Sequence, residues 1–320
     1  MKSQNNGRKI MALSGGVGGA KLVAGLADVL GPDQLSVVTN TADDFTHLGL
    51  HISPDLDTVI YTLAGVADPD KGWGLADESW HFMQALARLD GETWFNLGDR
   101  DLATHILRTQ MLAGGMPLGA VTAALSEKFG VGPTILPMSD DPVRTMVTTD
   151  MGELSFQQYF VREQCRPKVR RIRFEGCEAA RPVPEILALL ADPDLAAIVI
   201  CPSNPLLSID PILSVAGMRG ALKAAAAPVI AVSPLIGGKA VKGPTAKMMQ
   251  ELDIPVTAAA VAAHYGDLLD GFVLDTVDAA SEGEIAATGT AVSTTNTLMT
   301  SREAKQDLAR HILERINPGF

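Results

Sequence analysis

Lys9-Ile10-Met11-Ala12-Leu13-Ser14-Gly15-Gly16-Val17-Gly18-Gly19-Ala20-Lys21 runs from an apolar stretch into four glycines and on into a helical pattern. It reads as a strand, a tight turn and the start of a helix. Glycine tolerates positive φ and lets another group approach the backbone, while a helix's first turn offers unpaired N–H groups and the positive end of its dipole. A phosphate suits such a place. The spacing departs from the dinucleotide fingerprint, because counting from Gly16 the third glycine falls on Lys21, and no Lys-Ser or Lys-Thr follows Gly19 to make a triphosphate loop.

The flanking elements set the fold class. Leu22 to Leu30 has helical spacing and stops at Gly31-Pro32, and Leu35 to Thr39 is a second strand. Strand, helix and strand in so few residues imply a right-handed crossover and a parallel sheet, with ligands beyond the strands' carboxyl ends. Strands resume at Ala196–Cys201, Val229–Val232 and Phe272–Leu274, with a helix over Ala258–Leu269. Thr300-Ser301-Arg302-Glu303 resembles a capping box for a last helix that ends near Asn317-Pro318. Between these halves, Leu75–Leu89, Leu102–Leu112 and Leu118–Phe129 read as helices, then Thr134–Leu136, Thr145–Thr148, Leu154–Val161 and Val169–Phe174 as short strands. The pattern predicts an α/β fold: a Rossmann-like parallel-sheet core over residues 8–68 and 193–317, with an inserted smaller, helix-rich α+β domain over 69–192.

Composition narrows the function. The formal charge of -11 argues against a nucleic-acid partner, since counterion release needs clustered Lys and Arg. Cys165, Cys177 and Cys201 form no CxxC pair and suit a reducing, cytoplasmic setting; Cys201 reads as core at the end of a strand. The apolar stretch after the polar Met1–Arg8 is too short for a leader, and Asp192 and Asp194 interrupt the longest apolar region, so no membrane span is expected.

Chemistry concentrates after the second strand, where Asp43, Asp44, Asp55 and Asp57 crowd Asn40–Thr58 beside the proposed phosphate site. Carboxylates repel an anionic ligand unless a hard cation lies between them, and Mg²⁺ is the natural choice. Asp43 and Asp57 are the expected metal ligands, and Asp55 the cap of its own helix. Further along, Pro202-Ser203-Asn204-Pro205 and the loop from Ser233 through Gly237-Gly238-Lys239 to Lys242 should converge on the same sheet edge. For Ser203 and Asn204 the alternative is turn or helix capping. Asp101, His105 and Arg108 fall on adjacent turns of one helix, which reads either as a substrate-binding face or as a solvated salt-bridge face.

Taken in order, Gly15–Lys21, Asn40–Asp44, Ser53–Thr58, Leu97–His105, Pro202–Pro205 and Ser233-Pro234 resemble the 2-phospho-L-lactate transferases. The likeness runs from Leu13 to about Tyr265, with one departure, Ala42 where that family commonly has Gly. The resemblance implies a Mg²⁺-dependent, typically homodimeric enzyme of deazaflavin coenzyme F-420 biosynthesis. Such enzymes join a guanylylated phospho-acid (lactyl or enolpyruvyl) to the deazaflavin Fo and release GMP. It implies metal at Asp43 and Asp57; the residue chemistry adds catalysis by Asp43, Asp44 and Asp57, with Asp44 or a metal-bound carboxylate as the candidate proton acceptor, and ligand contacts from Gly15, Gly16, Val17, Gly18, Gly19, Arg100, His105, Ser203, Asn204, Gly238 and Lys239. The aromatic insert around Trp73 and Trp94–His105 would wall the deazaflavin ring. A nucleotide-sugar-binding regulator of the gluconeogenesis-factor type is the alternative, against which the Asp43/Asp57 pattern stands. An NAD-dependent oxidoreductase fits less well, because Gly is absent at 21 and Asn40, not Asp, ends the second strand.

Overall fold

Ile10 to Leu13 are wholly out of solvent, because their strand is paired on both edges and covered on both faces. The computed structural model describes residues 7–316, so the expected helix end at Asn317-Pro318 lies outside the described residues. Seven parallel strands make the main sheet: β1 (Lys9–Ser14), β2 (Leu35–Thr39), β3 (Thr134–Pro137), β4 (Leu195–Ile200), β5 (Val229–Val232), β6 (Gly271–Asp275) and β7 (Ala291–Thr295). Across the sheet they run β7-β6-β5-β4-β1-β2-β3, the dinucleotide-binding order with one further strand. The chain's direction of travel reverses between β1 and β4, where a crevice opens beyond the strand ends.

The period-2 alternation of β1 divides the core. Ile10 and Ala12 join Leu22, Val23 and Leu26 of α1 (Gly16–Val29), Val59 and Ile60 of α2 (Pro54–Leu63), and Leu308 and Ile312 of α5 (Arg302–Ile316) on one face. Met11 and Leu13 join Met218, Leu222, Val261 and Phe272 on the other. β7 was not legible in the sequence, and the strand expected over Leu154–Val161 is a strand only at Gly152–Ser155, followed by a π-helical turn at Gln158–Arg162. The cap of α5 is Ser301, whose Oγ accepts from the Ala304 amide at 3.1 Å, one residue later than the expected box.

The boundary of the expected insert needs correction. Residues 69–192 are not one separable domain, because β3 lies inside them and forms the edge of the main sheet. Before it, α3 (Asp101–Ala113) and α4 (Leu118–Lys128) pack on the α1 face, Val121 and Leu125 entering that core. After it, a three-stranded antiparallel sheet (Arg144–Thr149, Gly152–Ser155, Val169–Glu175) and the turn that follows its Gly152–Ser155 strand place Val147, Phe156, Tyr159 and Val169 in the core of the opposite face. The segment therefore straddles the sheet edge and shares both cores.

Behind the turn that follows β4, His264 Nε2 lies 2.8 Å from Asp210 Oδ1, tying the helix Ala258–Tyr265 to the segment carrying Ser203 and Asn204. The hydrogen bond and charge of Asp210 raise the His264 pKa above its ordinary value. A raised folded-state value means the stabilisation is complete below the unfolded pKa of about 6.5 and is lost as pH climbs through the folded value. His264→Gln should therefore lower Tm more at pH 5.5 than at pH 8.5; an equal or larger loss at pH 8.5 in thermal melts would refute the ion pair.

Candidate active site

A cavity of about 730 Å³ opens at the carboxyl edge of the sheet, where the chain reverses. Its walls come from the mouth of α1, the segment from Asp43 into α2, α3, the turn after β4, the loop after β5 and the loop after β7. Gly15, Gly16, Val17 and Gly18 line it, but Gly19 is packed beneath. Only Gly16 of this loop takes a positive φ, +64°. Close approach explains the other three. A Cβ on Gly15 would stand 2.6 Å from that of Ser208, one on Gly18 would stand 2.5 Å from the Pro202 carbonyl, and one on Gly19 would meet the hydroxyls of Ser14 and Ser203. The tight packing that the dinucleotide fingerprint assigns to its third glycine is thus taken by Gly18 and Gly19, and Lys21 is released to face the cavity.

Part of the helix mouth is already filled. The Gly15 amide donates to Ser203 Oγ at 3.2 Å, and the Gly16 amide to Asp55 Oδ1 at 2.8 Å. Asp55 does not cap its own helix; it caps α1, and its second oxygen accepts from Asn40 Nδ2 at 2.9 Å. Burial raises its pKa to about 6, against the pull of those bonds. Asn204 does cap, its side chain accepting from the Leu206 amide at 2.9 Å and the Leu207 amide at 3.3 Å.

Asp43 and Asp57 both line the cavity, in different surroundings. Asp43 is buried, its Oδ1 has no hydrogen-bond partner, and burial and the charge of Asp55 drive its pKa well above the carboxylate range. Asp57 is clasped by the Arg108 guanidinium, with Nη1 donating to Oδ2 at 3.1 Å and Nη2 to Oδ1. Burial still raises its pKa despite Arg108 and His105. Asp44 does not line the cavity: its Oδ2 accepts from Ser53 Oγ at 2.7 Å and lies 3.2 Å from His51 Nε2, fastening a hairpin (Phe45–His47, Leu50–Ile52) to the start of α2.

The face of α3 is neither solvated nor loosely paired. Asp101, His105 and Arg108 are all buried, Arg108 at 1% exposure. His105 Nε2 lies 3.2 Å from Asp101 and its Nδ1 3.7 Å from Asp57, while Tyr61 donates to Asp101 at 2.5 Å. Burial opposes the Asp101 charge, but His105, Tyr61 and Arg108 outweigh it and leave the carboxyl below its usual pKa. Asp57, Asp101 and His105 bring ligand atoms within 4.8 Å of one another, although Arg108 and Tyr61 already occupy the two acids. Tyr61, Asp101 and Arg108 carry the floor of the site. The i, i+4, i+7 spacing of the α3 residues signals one face, and only packing shows that the face is inward.

Other expected positions lie elsewhere. Arg100 is exposed and donates to the Ala76 carbonyl; Lys239 and Gly238 sit at an exposed hairpin turn, and Lys242, Gly243 and Pro244 reach the cavity instead. Ser203, Asn204 and His105 line it, as do Trp73, Phe95 and the stacked pair Phe156 and Phe160 at 5.3 Å. Trp94 packs against His47. Cys201 is buried in the core, and all three cysteines are free. Among the described residues no helix is long and apolar enough to cross a membrane.

Removing one partner of a buried pair leaves an uncompensated charge, at a cost of about 3–5 kcal/mol. Arg108→Ala should lose that much in chemical denaturation, whereas Asp57→Asn with Arg108→Met should lose distinctly less; equal losses would show that the guanidinium does not serve Asp57.

With this geometry in hand, the likeness to known proteins is specific. The sequence profile of 2-phospho-L-lactate transferase CofD matches residues 10–313. The phosphoenolpyruvate transferase of Streptomyces coelicolor is 42% identical over 311 residues, covering 95% of this chain and 97% of that protein. That of Mycobacterium tuberculosis is 39% identical over 322 residues, covering 94% and 97%. A UPF0052-family protein of Bacillus halodurans, 16% identical, superposes with a TM-score of 0.63 over 98% of this chain and all of that one, a likeness of fold. The chain belongs to the 2-phospho-L-lactate transferase CofD family.

Proposed function

We propose that this transferase joins the phospho-acid of a guanylylated donor, lactyl- or enolpyruvyl-2-diphospho-5′-guanosine, to the deazaflavin Fo in the making of coenzyme F-420. A hydroxyl of the acceptor attacks the phosphorus carrying the acid. The new P–O bond forms as the bond to the GMP phosphate breaks, the hydroxyl proton passes to solvent water and GMP departs. The observation that carries this reading is the meeting of Asp43, Asp57, the α1 mouth and aromatic side chains in one cavity of a chain of this family.

Phosphoryl transfer of this kind depends chiefly on alignment and on neutralised charge. The floor residues suit a hard cation. Asp43 offers a buried oxygen without a partner, and Asp57 retains lone pairs beyond those that Arg108 engages. Mg²⁺, when bound, would neutralise diphosphate charge beside these acids. The chain's own residues do the rest: Arg108 orients Asp57, the clasp of Asp55 fixes the α1 mouth, and Trp73, Phe95, Phe156 and Phe160 offer apolar faces to a flat ring. Asp44, spent on Ser53 and His51 away from the cavity, is not assigned the proton. A cavity of about 730 Å³ lies within the range for small-ligand sites.

Purified protein mixed with Fo, Mg²⁺ and each guanylylated acid should give the deazaflavin product by mass spectrometry with at least one donor; no product from any would reject the transfer. Asp43→Asn should reduce kcat by about 10²-fold or more, the scale of losing one group at a charged transition state. Because it removes a buried charge of unfavourable pKa, it should leave Tm equal or higher. Near-normal turnover, or a clear drop in Tm, would contradict this role.

A further inference from the structure

Two lysines from distant parts of the chain reach the cavity without an acid to pair with. Lys21 lies one turn beyond Val17 on the same side of α1, and both line the cavity with Lys242 of the loop after β5. The turn at Gly72 packs against Val17 and Lys242. A methyl group on Gly72 would stand 3.0 Å from Val17 Cγ1 and 3.2 Å from Lys242 Nζ, and Lys242 donates to the Lys71 carbonyl at 3.4 Å. Elsewhere Lys9, Lys71, Lys223 and Lys247 form ion pairs with Asp192, Asp68, Asp267 and Glu251. Among the described residues Lys21 and Lys242 form no such pair, nor do Lys128, Lys168, Lys239 and Lys305, but of these six only Lys21 and Lys242 line the cavity. Burial and the ammoniums of Lys242 and Lys305 hold the Lys21 pKa below its ordinary value, so its charge is costly until an anion arrives. The cavity's acids stand on other elements, Asp43 after β2, Asp55 and Asp57 on α2 and Asp101 on α3.

We propose that Lys21 and Lys242 form a phosphate subsite at the rim of the cavity, distinct from the carboxylate floor, which holds phosphate oxygens of the donor's diphosphate by direct contact. The assignment of the anion to a donor rests on the transferase reading; the subsite itself rests on the lysines. Two ammoniums on separate elements suit a multiply charged phosphate, for which lysine serves as a point charge. A group in contact with metal needs the metal to bind, whereas one held by lysines does not.

Inorganic pyrophosphate is the direct probe, titrated calorimetrically into the full chain in EDTA buffer, with Tm recorded for each variant. Lys21→Gln with Lys242→Gln should weaken binding at least tenfold at unchanged Tm, and Lys21→Arg with Lys242→Arg should keep it within about threefold. Binding unchanged within twofold in the glutamine pair, or no binding to the wild-type chain, would overturn the subsite. If the glutamine pair folds less well, the arginine pair and low-salt titrations of each single variant decide in the same way. GDP against ADP tests the nucleotide separately: pyrophosphate binding that depends on the lysines, without preference for GDP, supports the subsite and counts against the guanylylated donor.

Discussion

The carboxylate of Asp55 joins three parts of the chain that are far apart in sequence. One oxygen receives the first amide of α1 and the other receives Asn40 at the end of β2, while Asp55 itself begins α2. Charge-assisted hydrogen bonds and the positive end of the α1 dipole offset the loss of hydration. Room for the group comes from Gly15, where a Cβ would lie 2.8 Å from Asp55 Oδ2. The cavity's two ends are therefore set by one clasp: the turn after β4 rests on Gly18 and Gly19, and Asp57 follows two residues later on α2.

Around that clasp the molecule concentrates negative charge where little water reaches. Two unit charges 4 Å apart interact by about 4 kcal/mol near a protein surface, and more where solvent is excluded. Asp57 is relieved by Arg108, Asp55 by two hydrogen-bond donors, and Asp43 has an oxygen with no partner, so burial and the charge of Asp55 drive its pKa well above the carboxylate range. A fold selected for stability alone would not keep a buried acid with an orphaned oxygen. The α3 network works in the opposite sense, gathering Arg108, His105 and Tyr61 so that Asp57 and Asp101 hold fixed positions. Rigidity on one side of the floor and unmet charge on the other are the properties that alignment of a diphosphate demands.

Periodicity carried much of the architecture. β1, α1 and β2 announce themselves because strand and helix alternate with clean glycine and proline punctuation, and the parallel sheet follows. The insert misled for a physical reason. β3 is four residues long and sits among helices and antiparallel strands, so nothing local reveals that it pairs with β2 rather than with its neighbours. At the site, local spacing pointed to Asp43, Asp57 and Ser203, which lie in or beside glycine and aspartate motifs and line the cavity. It misread Asp55, whose partner is a helix thirty-nine positions earlier, and it left Asp101, His105 and Arg108 undecided, because inward and outward faces of a helix share one spacing. Lys239 was expected at the ligand, yet Gly237 and Gly238 turn a hairpin that carries it outward, and Lys242 reaches the cavity.

The central claim is spatial: a diphosphate lies between the rim of α1 and a divalent cation on the acids of the floor. Anomalous diffraction from crystals grown with Mn²⁺ and GDP tests it most directly. The account places the manganese peak within ligand distance of Asp43 and Asp57, with the diphosphate between it and Lys21. A peak elsewhere, or a diphosphate outside the cavity, would contradict it.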